Sequence, residues 1–332
     1  MPCKTLDASE LRALANATTA ARHNRLVASM QHQMMDGTPS DLMVLNTIDQ
    51  HYTHLIAAWK AMIMRARFPK YAFVVAMDSA AADATRAAGL AYFAPTAENE
   101  VEPTPCTNNN RGPGASISTP KPGTYHKTLI QGKEADTRIL PPDLPSWKMH
   151  AVWAALSLEY RVLFSESDVL WMPGDGLATH ILATTEDFAP QRHPMTPVWN
   201  FGFFYAHGKR SSNFFGCGVR HWERRHLAAR HAGKAVDIGS DQRFLWDAWR
   251  TKMCGPLEVK KLPLALYPTC RDWLGPSRSN ALAVHVTYCH KLSMLLSSED
   301  VCKRRLTEMF YLGGGIAVGN LTSKAWNKEQ GC

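Results

Sequence analysis

Short apolar runs alternate with amphipathic stretches along the first third of the chain. Residues 42–45, Leu-Met-Val-Leu, form a run of strand length that ends at the polar pair Asn46-Thr47. Leu55, Ile56, Trp59, Met62 and Ile63 then fall on one face of a helix that must finish before Pro69. A second apolar run at 71–77 closes on Asp78-Ser79, where Ser79 is expected to cap a short alanine-rich helix stopping at Gly89. Residues 90–93 predict a third strand. Strand, helix, strand, helix, strand at this spacing implies parallel βαβ units, whose ligands gather beyond the carboxyl ends of the strands.

The rhythm breaks over about 95–145, which is rich in proline and holds Asn108-Asn109-Asn110 with Gly112 and Gly114 close behind. A long loop insertion is expected there. Order resumes with Ser146 as an expected N-cap, followed by Met149, Val152, Trp153 and Leu156 on one helix face. Strand patterns return at 161–164, at 199–205 and at 281–286, and Phe244, Leu245, Ala248 and Trp249 make a buried helical stripe. The expected organisation is an N-terminal helical extension over 1–40, one main domain over 41–290 and a tail over 291–332.

Composition narrows the classes without choosing among them. With 332 residues, 45% hydrophobic and 20% charged, the chain has the ordinary globular mix, which excludes wholesale disorder, collagen and coiled coil. The glycine-containing uncharged run at 310–323 falls short of the ~18 apolar residues that cross a bilayer. No transmembrane segment is expected in this chain. The first 40 residues lack the apolar stretch of a secretory signal. Eight scattered cysteines show no zinc-finger spacing, and their even number allows disulfides in an oxidising lumen; Asn16-Ala17-Thr18 and Asn320-Leu321-Thr322 fit the N-glycosylation pattern.

The formal net charge is +8, and much of it lies in one block. Seven basic residues, Lys209, Arg210, Arg220, Arg224, Arg225, Arg230 and Lys234, face a single acid, Glu223. A solvated helix face and an anion-binding surface both fit that block. No nucleic acid is expected as a partner, because the block's aromatics Phe214, Phe215 and Trp222 are not spaced as a stacking platform.

Chemistry concentrates at Ser165-Glu166-Ser167-Asp168, followed by Trp171 and Pro173, where an apolar strand ends in two carboxylates separated by one residue. Oxygen ligands of this kind suit a hard divalent cation shared with substrate phosphates, so Mn²⁺ or Mg²⁺ is the expected cofactor. His285, near the end of a later strand pattern, is able to complete the ligand set, and Lys291 to neutralise a diphosphate. Taken by itself, His285 is more simply read as a hydrogen-bonded core histidine. Gly202, inside the aromatic strand 199–205, allows a sugar or a backbone to come close. Asp241-Gln242 sits at a helix start, where the acid favours the helix dipole and the pair is also suited to gripping hydroxyls.

These elements, in this order, resemble the nucleotide-diphospho-sugar transferase family that includes plant and algal cell-wall glycosyltransferases. The matching residues are Ser165-Glu166-Ser167-Asp168 with Trp171 and Pro173, then Asn200-Phe201-Gly202-Phe203, Asp241-Gln242, and Val284-His285 with Lys291; Thr47, Asp78 and Lys148 match more loosely. The resemblance implies an α/β fold of the GT-A (Rossmann-like) type, with a mixed, mainly parallel sheet flanked by helices. It also implies that Asp168 and His285 bind the metal, with Glu166 at the metal or the donor ribose. Thr47 and Asp78 would line the nucleotide pocket. Asn200, Gly202, Asp241 and Gln242 would hold the transferred sugar and the acceptor, and Lys148 and Lys291 would meet donor phosphate. Glu166 departs from the pattern, since the family more often has Asp there.

The implied activity is transfer of a sugar from a nucleotide-diphospho-sugar, most simply a UDP-sugar, to a hydroxyl on a glycan or glycoprotein acceptor, with retention at the anomeric carbon. The Golgi lumen is the location implied by the resemblance, with the cytoplasm as the alternative. Two rival readings are a sugar nucleotidyltransferase, which should carry a Gly-rich basic signature after the first strand that 46–50 lacks, and a non-catalytic protein binding nucleotides or anionic polymers.

Overall fold

The computed structural model describes residues 7–34, 41–66, 71–95, 126–130, 133–137, 144–172, 174–193, 197–231, 241–269 and 281–285. Its centre is a six-stranded sheet built from β1 (Leu42–Ile48), β2 (Tyr71–Ala76), β3 (Ala91–Phe93), β6 (Arg161–Ser165), β8 (Phe188–Arg192) and β9 (Trp199–Ala206), in the order β3-β2-β1-β6-β9-β8. β1 is parallel to β2 and β6, and β2 to β3; β9 runs against both β6 and β8. Only β9 is therefore reversed, and the sheet is mixed and mainly parallel.

Helices cover both faces, which is why the inner strands read as continuous apolar runs instead of alternating ones. On one face α2 (Ile56–Arg65), α3 (Ser79–Ala87) and α5 (Gly176–Leu182) bury Trp59, Met62, Ala81, Leu177 and Ile181 against Leu42 and Val44 of β1. On the other, α1 (Ala8–Gln33), α4 (Leu144–Ser157), α6 (Gly208–His231) and α7 (Asp241–Arg250) enclose Met43, Leu45, Phe164 and Phe204. Alternate residues of one strand thus serve two separate cores.

α1 is anchored by charge as well as by Leu26 and Met30. Arg22 reaches Glu223 of α6 at 2.6 Å, and Ser146 of α4 donates to the same carboxylate oxygen at 2.5 Å. Burial works against the carboxylate's charge, but His150 and Arg22 hold Glu223 down at about 2. The block's single acid therefore serves the interior, while Lys209, Arg210 and Arg225 stand exposed on α6.

Several sequence expectations are corrected. The cap of α3 is Asp78, whose side chain accepts from Ala81 N–H at 2.8 Å, instead of Ser79. Ser146 lies inside α4, which begins at Leu144, because its hydroxyl is drawn to Glu223. The 95–145 insertion contains a two-stranded hairpin, β4 (His126–Ile130) with β5 (Lys133–Thr137), which the proline-rich composition did not announce. A disulfide also joins Cys217 of α6 to Cys254 just after α7.

Candidate active site

The carboxyl ends of β1, β2, β6 and β8 share one edge of the sheet, and the reversed β9 brings its beginning to the same edge. At the end of β6 the chain turns sharply: Glu166 N–H donates to Gly202 O at 2.8 Å, and Val169 N–H to Glu166 O at 3.1 Å. Ser167 accepts from Asn46 Nδ2 at 2.8 Å, tying the turn to the end of β1. The turn then leads into β7 (Val169–Trp171), which pairs antiparallel with β10 (Ala283–His285). That pairing sets His285 opposite Val169, immediately beyond Asp168.

Glu166, Asp168 and His285 each offer a ligand atom, and these atoms lie within 4.8 Å of one another. His285 Nε2 is 3.3 Å from Asp168 Oδ1 and 3.6 Å from Glu166 Oε2. The His285 and Asp168 side chains are 4% and 7% exposed and that of Glu166 is 36%, so the cluster opens to solvent on the Glu166 side. Two carboxylates and an imidazole are a donor set that hard or borderline divalent cations accept. The backbone makes room for them at Gly202. A Cβ on that glycine would collide with the Glu166 carboxylate and the His285 ring. The close approach anticipated at Gly202 is thus made by these two side chains.

The electrostatics favour positive charge at the cluster. Burial opposes a charged imidazole, yet Asp168 and Glu166 raise His285 from 6.5 to about 9. Burial pulls Glu166 upward, but Lys148 and His285 hold it well below the usual carboxylate range. A proton on Nε2 occupies the place that a metal would take, and binding a cation there would displace it.

Lys148 enters from α4 over the rings of Phe164 and Phe201, at 4.8 and 5.4 Å, and bridges two carboxylates: Glu166 Oε1 at 2.8 Å and Asp241 Oδ2 at 3.2 Å. Burial disfavours its charge, but Asp241 and Glu166 more than offset this and raise it above the lysine range. Its neighbours are carboxylates where a donor phosphate was expected. Asp241 opens α7, and Gln242 Oε1 lies 3.4 Å from Phe201 N–H. That N–H is available because β9 bulges away from β8 between Asn200 and Phe204. Asn200 accepts from Gly202 N–H at 3.0 Å and places its Nδ2 3.0 Å from His285 Nδ1.

The nucleotide-side residues lie along the same edge. Thr47 is half-buried near the end of β1. Asp78 follows β2 and accepts from Gln50 N–H at 2.7 Å as well as from Ala81, so it shapes the loop after β1. Lys291 lies outside the described residues. Gln191 was missed by sequence reasoning: its Oε1 is 3.0 Å from His285 Nδ1. It ends the run Phe188-Ala189-Pro190, whose proline obscured the strand, and a single glutamine carries no motif.

No protein-family model and no curated protein matches the sequence. Among solved structures the chain is similar to the glycosyltransferase GlyE of Streptococcus pneumoniae (10% identity, TM-score 0.41, 82% of this chain and 62% of that one). It is also similar to the galactosyltransferase LgtC, solved with donor and acceptor sugar analogs (13%, TM-score 0.39, 85% and 98%). A third is mouse xyloside xylosyltransferase 1 in its apo form (10%, TM-score 0.39, 75% and 98%). This chain spans just under two thirds of the GlyE chain.

Proposed function

We propose that this chain is a glycosyltransferase that moves a sugar from a nucleotide-diphospho-sugar, in the first instance a UDP-sugar, to a hydroxyl of a glycan or glycoprotein. Glu166, Asp168 and His285 would hold a divalent cation, Mn²⁺ or Mg²⁺. The supporting observation is the convergence of these three side chains at the carboxyl edge of a mainly parallel sheet, beside the Lys148–Asp241 pair. Such an ion, when bound, neutralises a diphosphate and eases its departure as a leaving group.

The chain's own groups do the rest. Asp168 and His285, both buried, fix two ligand directions, and the more open Glu166 supplies the third. Lys148 holds the Glu166 and Asp241 carboxylates in place from beneath. That leaves Asp241 and Gln242 at the start of α7 to orient sugar hydroxyls, a task suited to an acceptor-only carboxylate beside an amide. Asn200 would help hold the sugar, and Gly202 leaves the room in which Glu166 and His285 come together. Thr47 would contact the nucleotide, and Asp78 would shape its pocket through the loop after β1. Retention at the anomeric carbon follows the motif resemblance.

The test is a panel of UDP- and GDP-sugars incubated with Mn²⁺, reading nucleoside diphosphate release, with and without acceptor glycans. The reading requires release that disappears in Asp168→Asn at retained thermal stability. Undiminished release in that variant overturns it. Pyrophosphate formation from a nucleoside triphosphate and a sugar phosphate would instead establish a nucleotidyltransferase.

A further inference from the structure

The ring nitrogen of His285 that faces away from the carboxylates has partners of its own. Gln191 lies at the end of β8, 1% exposed, with Nε2 3.0 Å from Tyr267 O and 3.3 Å from Pro268 O. Carbonyl oxygens only accept, so the nitrogen end of this amide is fixed toward them and its oxygen must point the other way. There Oε1 meets His285 Nδ1 at 3.0 Å. An amide oxygen also only accepts, so this is a hydrogen bond when Nδ1 carries a hydrogen.

Asn200 makes the opposite demand. Its Oδ1 accepts from Gly202 N–H, which turns Nδ2, a donor, toward the same His285 Nδ1 at 3.0 Å. Asn200 therefore suits a neutral ring with Nδ1 bare, and Gln191 suits a ring with Nδ1 protonated. The difference decides whether His285 is a ligand. A neutral ring with Nδ1 bare carries its hydrogen on Nε2, the atom facing Asp168 and Glu166, and has no lone pair to give there.

We infer that Gln191 is the positioning residue that makes His285 metal-competent: by accepting from Nδ1–H it leaves the Nε2 lone pair for a cation shared with Asp168 and Glu166. The inference rests on the metal reading above. Gln191 is well placed for this because the backbone it grips also carries the histidine's strand: His285 N–H donates to Pro268 O at 3.1 Å. Ring, amide and strand are fastened to one another.

The experiment titrates the full chain with Mn²⁺ by calorimetry, following unfolding temperature in parallel, for wild type, Gln191→Met, Gln191→Glu and Asp168→Asn. Methionine keeps the length but loses both the donor to the carbonyls and the acceptor toward Nδ1, whereas glutamate keeps the acceptor and, when protonated, an O–H donor for the carbonyls of Tyr267 and Pro268. Losing such an outer partner typically weakens metal affinity about 10- to 100-fold, so Gln191→Met should lose that much and Gln191→Glu should return to within roughly threefold of wild type. Equal losses in both Gln191 variants would reduce Gln191 to a structural tether and overturn the inference, as would wild-type affinity in Gln191→Met.

Asp168→Asn separates the two levels. If it binds Mn²⁺ like wild type, the metal reading itself fails; if it loses binding while Gln191→Met keeps it, only the Gln191 assignment fails. A measurement needing no Gln191 substitution guards against misfolded variants. In ¹⁵N spectra of the wild-type chain with Mg²⁺, assigned with His285→Gln, a protonated Nδ1 is expected, and a bare Nδ1 overturns the inference.

Discussion

Val169 and His285 are register partners across the antiparallel β7–β10 pair. The residue before Val169 is Asp168, so one backbone pairing brings a carboxylate and an imidazole that are remote in sequence to 3.3 Å. The acid-x-acid turn alone fixes two ligand directions, and β10 delivers the third. Because β10 is held by pairing and by the bond from His285 N–H to Pro268 O, the imidazole arrives on backbone rather than on a loose loop.

This closeness predicts a pH signature. His285 is raised in the folded chain from 6.5 to about 9, so its charge stabilises the metal-free fold fully below pH 6.5 and that contribution is lost as pH climbs through about 9. The unfolding temperature of metal-free wild type should therefore fall across this window relative to His285→Gln. Mn²⁺ affinity should rise over the same window, as the competing proton leaves Nε2. A wild-type curve parallel to that of His285→Gln would contradict the assignment.

Gly202→Ala tests the crowding directly. The added methyl would meet the Glu166 carboxylate and the His285 ring. Overpacking of this sort costs about 1–3 kcal/mol. Since the displaced groups are two of the three ligands, Mn²⁺ affinity should drop by roughly ten- to a hundredfold as well. Calorimetric titration and thermal unfolding check both, and unchanged metal affinity would mean that the ligands do not depend on this close approach.

Much of this arrangement was legible beforehand, for reasons that differ by element. β1, β2, β6 and β9 were readable because both faces of the sheet are covered, which turns their strands into unbroken apolar runs. The Glu166–Asp168 turn was readable because polar residues follow such a run abruptly. Lys148 was picked out by position only; its bridge between Glu166 and Asp241 depends on α7 meeting α4, a contact that no local pattern encodes. Gln191 was invisible for a similar reason: its significance lies in two carbonyls at 267 and 268 and in the ring of residue 285. The capping role assigned to Ser79 failed because the Asp78 side chain takes the Ala81 N–H, and that assigned to Ser146 because its hydroxyl donates to Glu223 inside the helix.

Asp241→Asn should separate binding from transfer. The carboxylate lies at the start of α7, 3.2 Å from Lys148 Nζ, which it shares with Glu166. Its loss should leave UDP affinity close to wild type while sugar transfer falls on the order of a hundredfold, the size of effect expected when a substrate is misplaced by about 1 Å. Equilibrium UDP binding and steady-state kcat, measured side by side, check it. A nucleotide affinity loss with normal transfer would contradict this role.

Glu223→Gln probes how α4 is held. Glu223 accepts from Ser146 and pairs with Arg22, and it lies 3.4 Å from His150 Nε2, so three helices meet at one buried carboxylate. Removing its charge takes away the ionic partner that Arg22 meets at 2.6 Å, and breaking a buried pair costs about 3–5 kcal/mol. Because Glu223 is held down at about 2, its contribution is present above pH 4.5 and disappears only as pH falls toward 2. Chemical denaturation of the variant at neutral pH should show the full loss, and a difference below about 1 kcal/mol would indicate a surface-like pair.

The Cys217–Cys254 bond closes a span of 37 residues that includes most of α6 and all of α7. Closing a loop of that length restricts the unfolded chain, and ~2–4 kcal/mol is the usual gain. Cys217→Ala should therefore lose about that much stability under oxidising conditions. Under reducing conditions the two proteins should unfold nearly together, because both then lack the cross-link. The comparison isolates the bond from the packing of the sulfur, since packing differences persist in reductant and a cross-link does not. Equal stability of wild type and variant without reductant would mean that the two thiols remain unjoined in solution.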